Sequence, residues 1–285
     1  MKFFGKCALI ALILTAQAGA TYCVPRPAQD LVQLDRVVNV TSTEVMSPSW
    51  TDKETQAYSA GLLRGRVSET ISSLLGNSSY SEAYSYTTAG KPSTVNITMN
   101  TVRSGTKTSQ EVYEYDAQGR LTRVLGTDGP RRPLETIATC SYASLSITER
   151  ETAYYGFVPR THEYTLNAQG QVIRHVQTTE RYKNDTDVTT FTYQNGRLVR
   201  QERREVNSIY PIKVTTTDYN SAGFPVKVVD ARFEKNNQRR SQTTTTFDYV
   251  MDAAGNWVER REYEHDGDRK ELAATTTRVI VYTKP

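Results

Sequence analysis

The 285-residue chain is predicted to be all-β: a meander of antiparallel hairpins from degenerate repeats, forming one large twisted sheet that curls toward a half-barrel or open barrel. Three observations predict it. Val112 to Leu125 reads as strand, tight turn and strand, and echoes of that unit recur toward the C-terminus. From Tyr80 onward no stretch has the period of a long amphipathic helix. Units that cannot bury a face alone stack side by side and satisfy one another's backbone ladders. A long flat sheet would leave raw edges, so twist and curling are expected.

Residues 1–20 read as a secretory signal peptide. Lys2 and Lys6 give a positive start, Cys7 to Thr15 an apolar run, and Ala16-Gln-Ala-Gly-Ala20 small-residue cleavage options. The run is too short for a transmembrane helix, and bulky Tyr22 before Cys23 argues against a lipidated cysteine. Residues 21–60 lack a repeating apolar pattern and include Pro25, Pro27 and Pro48, so a partly irregular N-terminal arm is expected. Residues 61–285 are read as a single repeat domain. At its start Leu63, Val67, Ile71 and Leu74 fall at helical spacing, while Val67 and Ile71 also fit strand alternation.

The hairpin unit has a local physical logic. Tyr113 and Tyr115 alternate with Glu114, the period of a half-buried strand. Asp116 suits the first position of a turn, where its carboxylate can accept a backbone N–H two residues on. Gly119 suits the fourth, where the chain needs positive φ. Further units follow at Asn167/Gly170, Gly196 (a turn shorter by one residue), Asn220/Gly223 and Asp252/Gly255, with a weaker one at Gly90. Successive glycines from Gly90 are 29, 51, 26, 27 and 32 residues apart, so the long gap should hide a degenerate unit near Cys140. Between turns, Val188 to Thr192, Thr215 to Thr217 and Thr243 to Thr246 are rich in β-branched residues. The 18 tyrosines, with Phe191, Phe247 and Trp257, are the expected inner or inter-strand layer, rings buried and hydroxyls at a polar rim.

Tyr113-x-Tyr115-Asp116-x-x-Gly119-Arg120 resembles the YD repeat of bacterial Rhs proteins and animal teneurins. The ending Asp252-Ala-Ala-Gly-Asn-Trp257 with Arg278-Val-Ile-Val-Tyr282, and the opening Leu63-Arg-Gly-Arg-Val67, resemble small exported YD-type proteins of Gram-negative bacteria. The likeness covers about Leu62 to Tyr282; Leu166, Met251 and the short turn at Asn195 depart from the pattern. It implies a strand rather than a helix over 62–75, and an architecture of spiralling hairpins. It implies little about activity.

Removing the leader takes two lysines from a net charge of +4, leaving about +2, which argues against a nucleic-acid partner. It also leaves Cys23 and Cys140. An even count in an oxidising compartment favours one disulfide tying the arm to the sheet; two unpaired thiols are the alternative. No metal or other cofactor is expected, since no His is near either cysteine and His162, His175 and His265 show no ligand spacing. His162 and His175 fall on the two arms of one hairpin and could approach each other. No Gly-rich phosphate loop, HExxH or GxSxG is present. Asp116, Asn167, Asn220 and Asp252 are explained by turn stabilisation without calcium. The run Arg197 to Arg204 could contact anionic sugars, but Glu202 interrupts it and alternation makes it a solvated face.

Three functional classes remain. The favoured one is an exported, non-enzymatic structural or interaction module of the cell envelope, periplasmic or secreted, with an envelope protein, glycan or lipid as partner. The second is a carbohydrate- or lipid-binding protein using a Tyr-rich concave face. The third is an unrecognised enzyme. A membrane-spanning barrel is disfavoured, because charge and threonine fall on both alternations of the strands.

Overall fold

Each hairpin is built from contacts local in the chain, and the strands follow the turns closely. The computed structural model describes residues 22–24, 36–47, 50–72, 76–102, 105–129, 132–152, 158–179, 185–206, 212–234 and 237–283. The leader read at 1–20, and its cleavage point, lie outside these. The strands are β1 (Val37–Ser47), β2 (Trp50–Ser59), β3 (Leu62–Ser72), β4 (Ser78–Tyr86), β5 (Pro92–Thr101) and β6 (Gly105–Tyr115). They continue as β7 (Leu121–Thr127), β8 (Glu135–Ala143), β9 (Ser146–Glu151), β10 (Arg160–Leu166), β11 (Val172–Thr179) and β12 (Thr186–Gln194). The last six are β13 (Arg197–Val206), β14 (Ile212–Tyr219), β15 (Pro225–Phe233), β16 (Arg239–Met251), β17 (Trp257–Asp266) and β18 (Arg269–Tyr282). Among the described residues there is no α-helix.

Every strand pairs antiparallel with its neighbour in sequence, and β1 pairs with both β2 and β18. The sheet is therefore a closed 18-stranded barrel. This corrects the expected open or half-barrel: closure removes both edges at once, which curling alone would not. It also corrects the arm drawn over 21–60, because β1 and β2 lie within it and β1 is the strand that closes the ring. Their sequences, rich in Thr, Ser and Glu, show no apolar alternation, since Val37, Val38, Val40 and Val45 keep no regular period. The strand expected over 62–75 is present over Leu62–Ser72 as β3, and 73–75 lie outside the described residues.

The repeat is visible as geometry. In five glycine-bearing turns the N–H of the first residue donates to the carbonyl four residues on, and the N–H of the fourth donates back to the first. They run Thr87–Lys91, Asp116–Arg120, Asn167–Gln171, Asn220–Phe224 and Asp252–Asn256. The fourth residue is a glycine with φ between 74° and 86° in each. The Asx side chain fastens the turn: Asp252 Oδ1 accepts the N–H groups of Ala254 and Asn256 at 2.9 Å each, and Asn220 holds Ala222 and Phe224 likewise. Gly196 sits in a two-residue turn with Asn195, both at positive φ, as predicted from its shorter loop. The degenerate unit expected near Cys140 is the β8–β9 hairpin.

All these turns join an even strand to the next odd one, so they lie on one rim. Tyrosines lace that rim together. The Tyr115 hydroxyl donates to Pro92 O (2.8 Å), Tyr142 to Leu121 O (2.8 Å), Tyr193 to Val172 O (3.0 Å) and Tyr249 to Pro225 O (2.7 Å); Tyr86 donates to Leu63 O. Each bond runs from one hairpin to the return strand of the hairpin before it. The tyrosine thus fixes the spacing of neighbouring repeats as well as filling the wall.

Candidate functional site

Pairing register sorts the side chains onto two faces. One face carries Val40, Glu82, Tyr113, Val124, Glu149 and His162 and holds most of the fully buried positions. It is the concave inner wall, where side chains converge. The opposite face exposes Val45, Val67, Ile71, Val279 and Val281. Among the described residues two apolar clusters form, one around Val37, Val40 and Tyr58 and one around Leu121, Val124, Ile137 and Ala138. With strands about 4.8 Å apart and tilted by about 40°, an 18-stranded ring is on the order of 35 Å across between backbones, too wide for one shell of side chains to fill.

The inner wall is a chain of carboxylate networks. Glu82, 8% exposed, accepts from Arg66 (3.0 Å), from the Tyr80 hydroxyl (2.6 Å) and from Tyr84. Burial, reinforced by the Glu82 charge, pushes the Tyr80 hydroxyl well above the usual tyrosine range. Across the closing seam, Arg260 bridges Glu262 (2.5 Å) and Glu44 (3.4 Å) beneath Trp257, and Thr276 donates to Glu44 at 3.2 Å. Burial raises the Glu262 carboxyl above its ordinary value, against the pull of Arg260.

The densest cluster lies on β8–β11. Register places Cys140 opposite Glu149, Glu149 opposite His162, and Tyr164 opposite both Ile147 and His175. Cys23 is joined to Cys140, so the disulfide expected from the cysteine count is present and pins the N-terminal segment to the wall. Glu149 is fully buried and clasps that segment: Oε1 accepts the Tyr22 N–H at 3.1 Å and Oε2 the Cys23 N–H at 2.9 Å. Desolvation raises the Glu149 carboxyl, opposed by the Cys23 N–H, His162 and the Tyr22 N–H. The Tyr22 hydroxyl reaches Glu111 at 3.1 Å, and Tyr113 reaches the same carboxylate at 2.6 Å.

His162 and His175 do meet, Nδ1 to Nε2 at 3.0 Å, with His175 stacked on Tyr164 at 4.5 Å between ring centroids. Burial, then His162 and Arg203, push the His175 imidazole down to about 4, so it is neutral near pH 7. His162 Nε2 lies 3.5 Å from Glu151 Oε1. The turn residues Asp116, Gly119, Asn167, Gly170, Gly196, Asn220, Gly223, Asp252 and Gly255 all sit on the rim, apart from this cluster. Glu149, Glu151, Glu82 and Glu111 were missed from sequence. Placing a tight turn at Ser144-Leu145 would have set Cys140 against Glu149. The arginine run divides between the faces: Arg203 pairs with Asp187 (2.7 Å) on the inner face, while Arg200 faces Asp218 (3.8 Å) on the other.

No family model and no curated protein matches this chain. Among solved structures, it superposes on a porin-like protein from Bacteroides uniformis with a TM-score of 0.45 at 12% identity, covering 86% of this chain and 96% of that one. It also superposes on a TcdB2-TccC3 structure (TM-score 0.25, 10% identity, 93% of this chain and 18% of that one) and on a Photorhabdus luminescens Tc holotoxin pore (0.15, 10%, 80% and 20%). All three scores are below 0.5, and no functional argument is taken from them.

Proposed function

We propose that this protein is an exported, non-enzymatic barrel of the cell envelope that works as an interaction module, presenting a polar inner wall to a partner. The observation that carries the reading is the wall itself. It belongs to a closed ring of 18 strands and is lined by carboxylates held by tyrosine, arginine and histidine partners. The disulfide-held N-terminal segment supports a periplasmic or secreted location. The YD-type repeat origin is kept as part of this proposal, on the recurring turn and tyrosine geometry.

The barrel is read as standing in water. Its outer face carries Lys53, Glu69, Glu163, Glu202, Arg204 and Arg261 within the strands, flanked by Thr and Ser. Basic groups at the lipid midplane would cost roughly 2–4 kcal/mol each. A second reading, a glycan-binding barrel, is favoured by the tyrosine rings beside carboxylates on the inner wall. Melting of the mature protein in the presence of envelope glycans, together with flotation on anionic and neutral vesicles, tests both. A glycan-dependent rise in melting temperature would move the assignment to the second reading. Stable insertion into vesicles would overturn the aqueous barrel.

A further inference from the structure

We propose that Glu149, Glu151 and His162 form a binding site for one divalent transition-metal cation of the Zn²⁺ class. One ligand atom from each residue lies within 4.8 Å of the other two. Ligand atoms around a tetrahedral Zn²⁺ stand about 3.4 Å apart, so the three need to close by roughly an ångström, within the reach of side-chain rotation. Two carboxylates and an imidazole form a donor set that suits a borderline cation better than a hard one.

The second, independent observation is His162 itself. Its ring is fully buried, yet Nε2 has no hydrogen-bond partner and lies 3.5 Å from Glu151 Oε1, with a ligand atom of Glu149 in the same cluster. The other nitrogen is held by His175 at 3.0 Å, which fixes the ring plane and leaves Nε2 as the atom available for ligation. Metal-bound histidines are oriented in this way through their second nitrogen. Glu149 is likewise oriented, by the N–H groups of Tyr22 and Cys23. Each of its oxygens keeps a lone pair beyond the bond it already accepts. Glu151 is partly exposed and leaves the remaining coordination position open to water. Arg160, opposite Glu151 in the register, makes no ion pair with it within 4.0 Å. The buried negative charge is therefore not neutralised from that side. Cation binding and anchoring of the N-terminal segment would share one carboxylate, Glu149.

The test uses the mature chain with its disulfide intact, stripped of metal and titrated with Zn²⁺ by calorimetry, with Co²⁺ as a spectroscopic probe. One Zn²⁺ should bind per chain, and Co²⁺ should give the visible absorption of a low-symmetry four- or five-coordinate site. Glu151→Gln should weaken Zn²⁺ binding by at least about tenfold while the melting profile without metal is kept, since that side chain is partly exposed. His265→Asn, a change on the opposite face, should leave binding as it is. Absence of Zn²⁺ and Co²⁺ binding would overturn the proposal. Equal affinity in Glu151→Gln and the parent would overturn it too.

Discussion

Reducing the Cys23–Cys140 bond should cost this barrel much of its stability. The two cysteines are 117 residues apart, so the bond closes most of the first half of the chain into one loop. Chain-entropy arithmetic for a loop of that size gives about 4–5 kcal/mol. A protein of this kind has a net stability of about 5–15 kcal/mol, so the bond is a large fraction of it. The effect resides in the unfolded chain, because the native contacts of the segment do not all depend on sulfur. Glu149 still accepts two N–H bonds, and Tyr22 still packs against the Leu121–Val124 cluster. Urea unfolding with and without reductant should therefore show a lower midpoint, with a steeper slope as the released chain exposes more surface. The melting temperature should fall by roughly 10–15 °C. Cys140→Ala should reproduce the shift and lose its sensitivity to reductant. Identical midpoints with and without reductant, or two reactive thiols in the denatured native-source protein, would refute the reasoning.

Gly119→Val should be less stable than Gln118→Ala by roughly 1–3 kcal/mol, because φ is +74° there and an added Cβ meets the Lys91 amine; equal urea midpoints would refute it. Ala60 sits at φ 51° beside Gly61, so Ala60→Gly should raise stability by about 0.5–1 kcal/mol, relief of left-handed strain less the entropy of an added glycine; an unchanged midpoint would count against the turn. Tyr115→Phe and Tyr249→Phe should each cost about 0.5–1.5 kcal/mol by removing one hydroxyl lace, and the two changes, on distant hairpins, should add; no change in either would show that the lacing bonds contribute nothing. Asp252 is held below its ordinary pKa: desolvation works to raise it, but the Tyr282 hydroxyl and the N–H groups of Asn256, Ala254 and Gly255 outweigh that. Its contribution is therefore present above pH ~4 and lost as pH falls through the lower folded value. Asp252→Asn should cost about 1 kcal/mol at pH 7 and converge with the parent in acid; a constant gap at every pH would refute the assignment.

The sequence by itself determined what is local. Asp116, Asn167, Asn220 and Asp252, each three residues before a glycine, encode their turns because the Asx oxygen and the left-handed glycine act within five residues. The tyrosines marked the layer between hairpins, and the parity of Cys23 and Cys140 pointed to their bond. Tertiary structure alone decided the closure. β1 joins β18 across 230 residues or more, and its pattern carries no sign of the partner, since Val37, Val38, Val40 and Val45 keep no regular apolar period to read. The cluster of Glu149, Glu151 and His162 was hidden for a related reason. Single residues on separate strands become neighbours only through register, and register follows from counting outward from turns such as Ser144-Leu145, which has neither the glycine nor the Asx residue of the others. Hydrogen-bonding chemistry acting over a few residues is written in the chain; the meeting of distant polar faces depends on the whole ring.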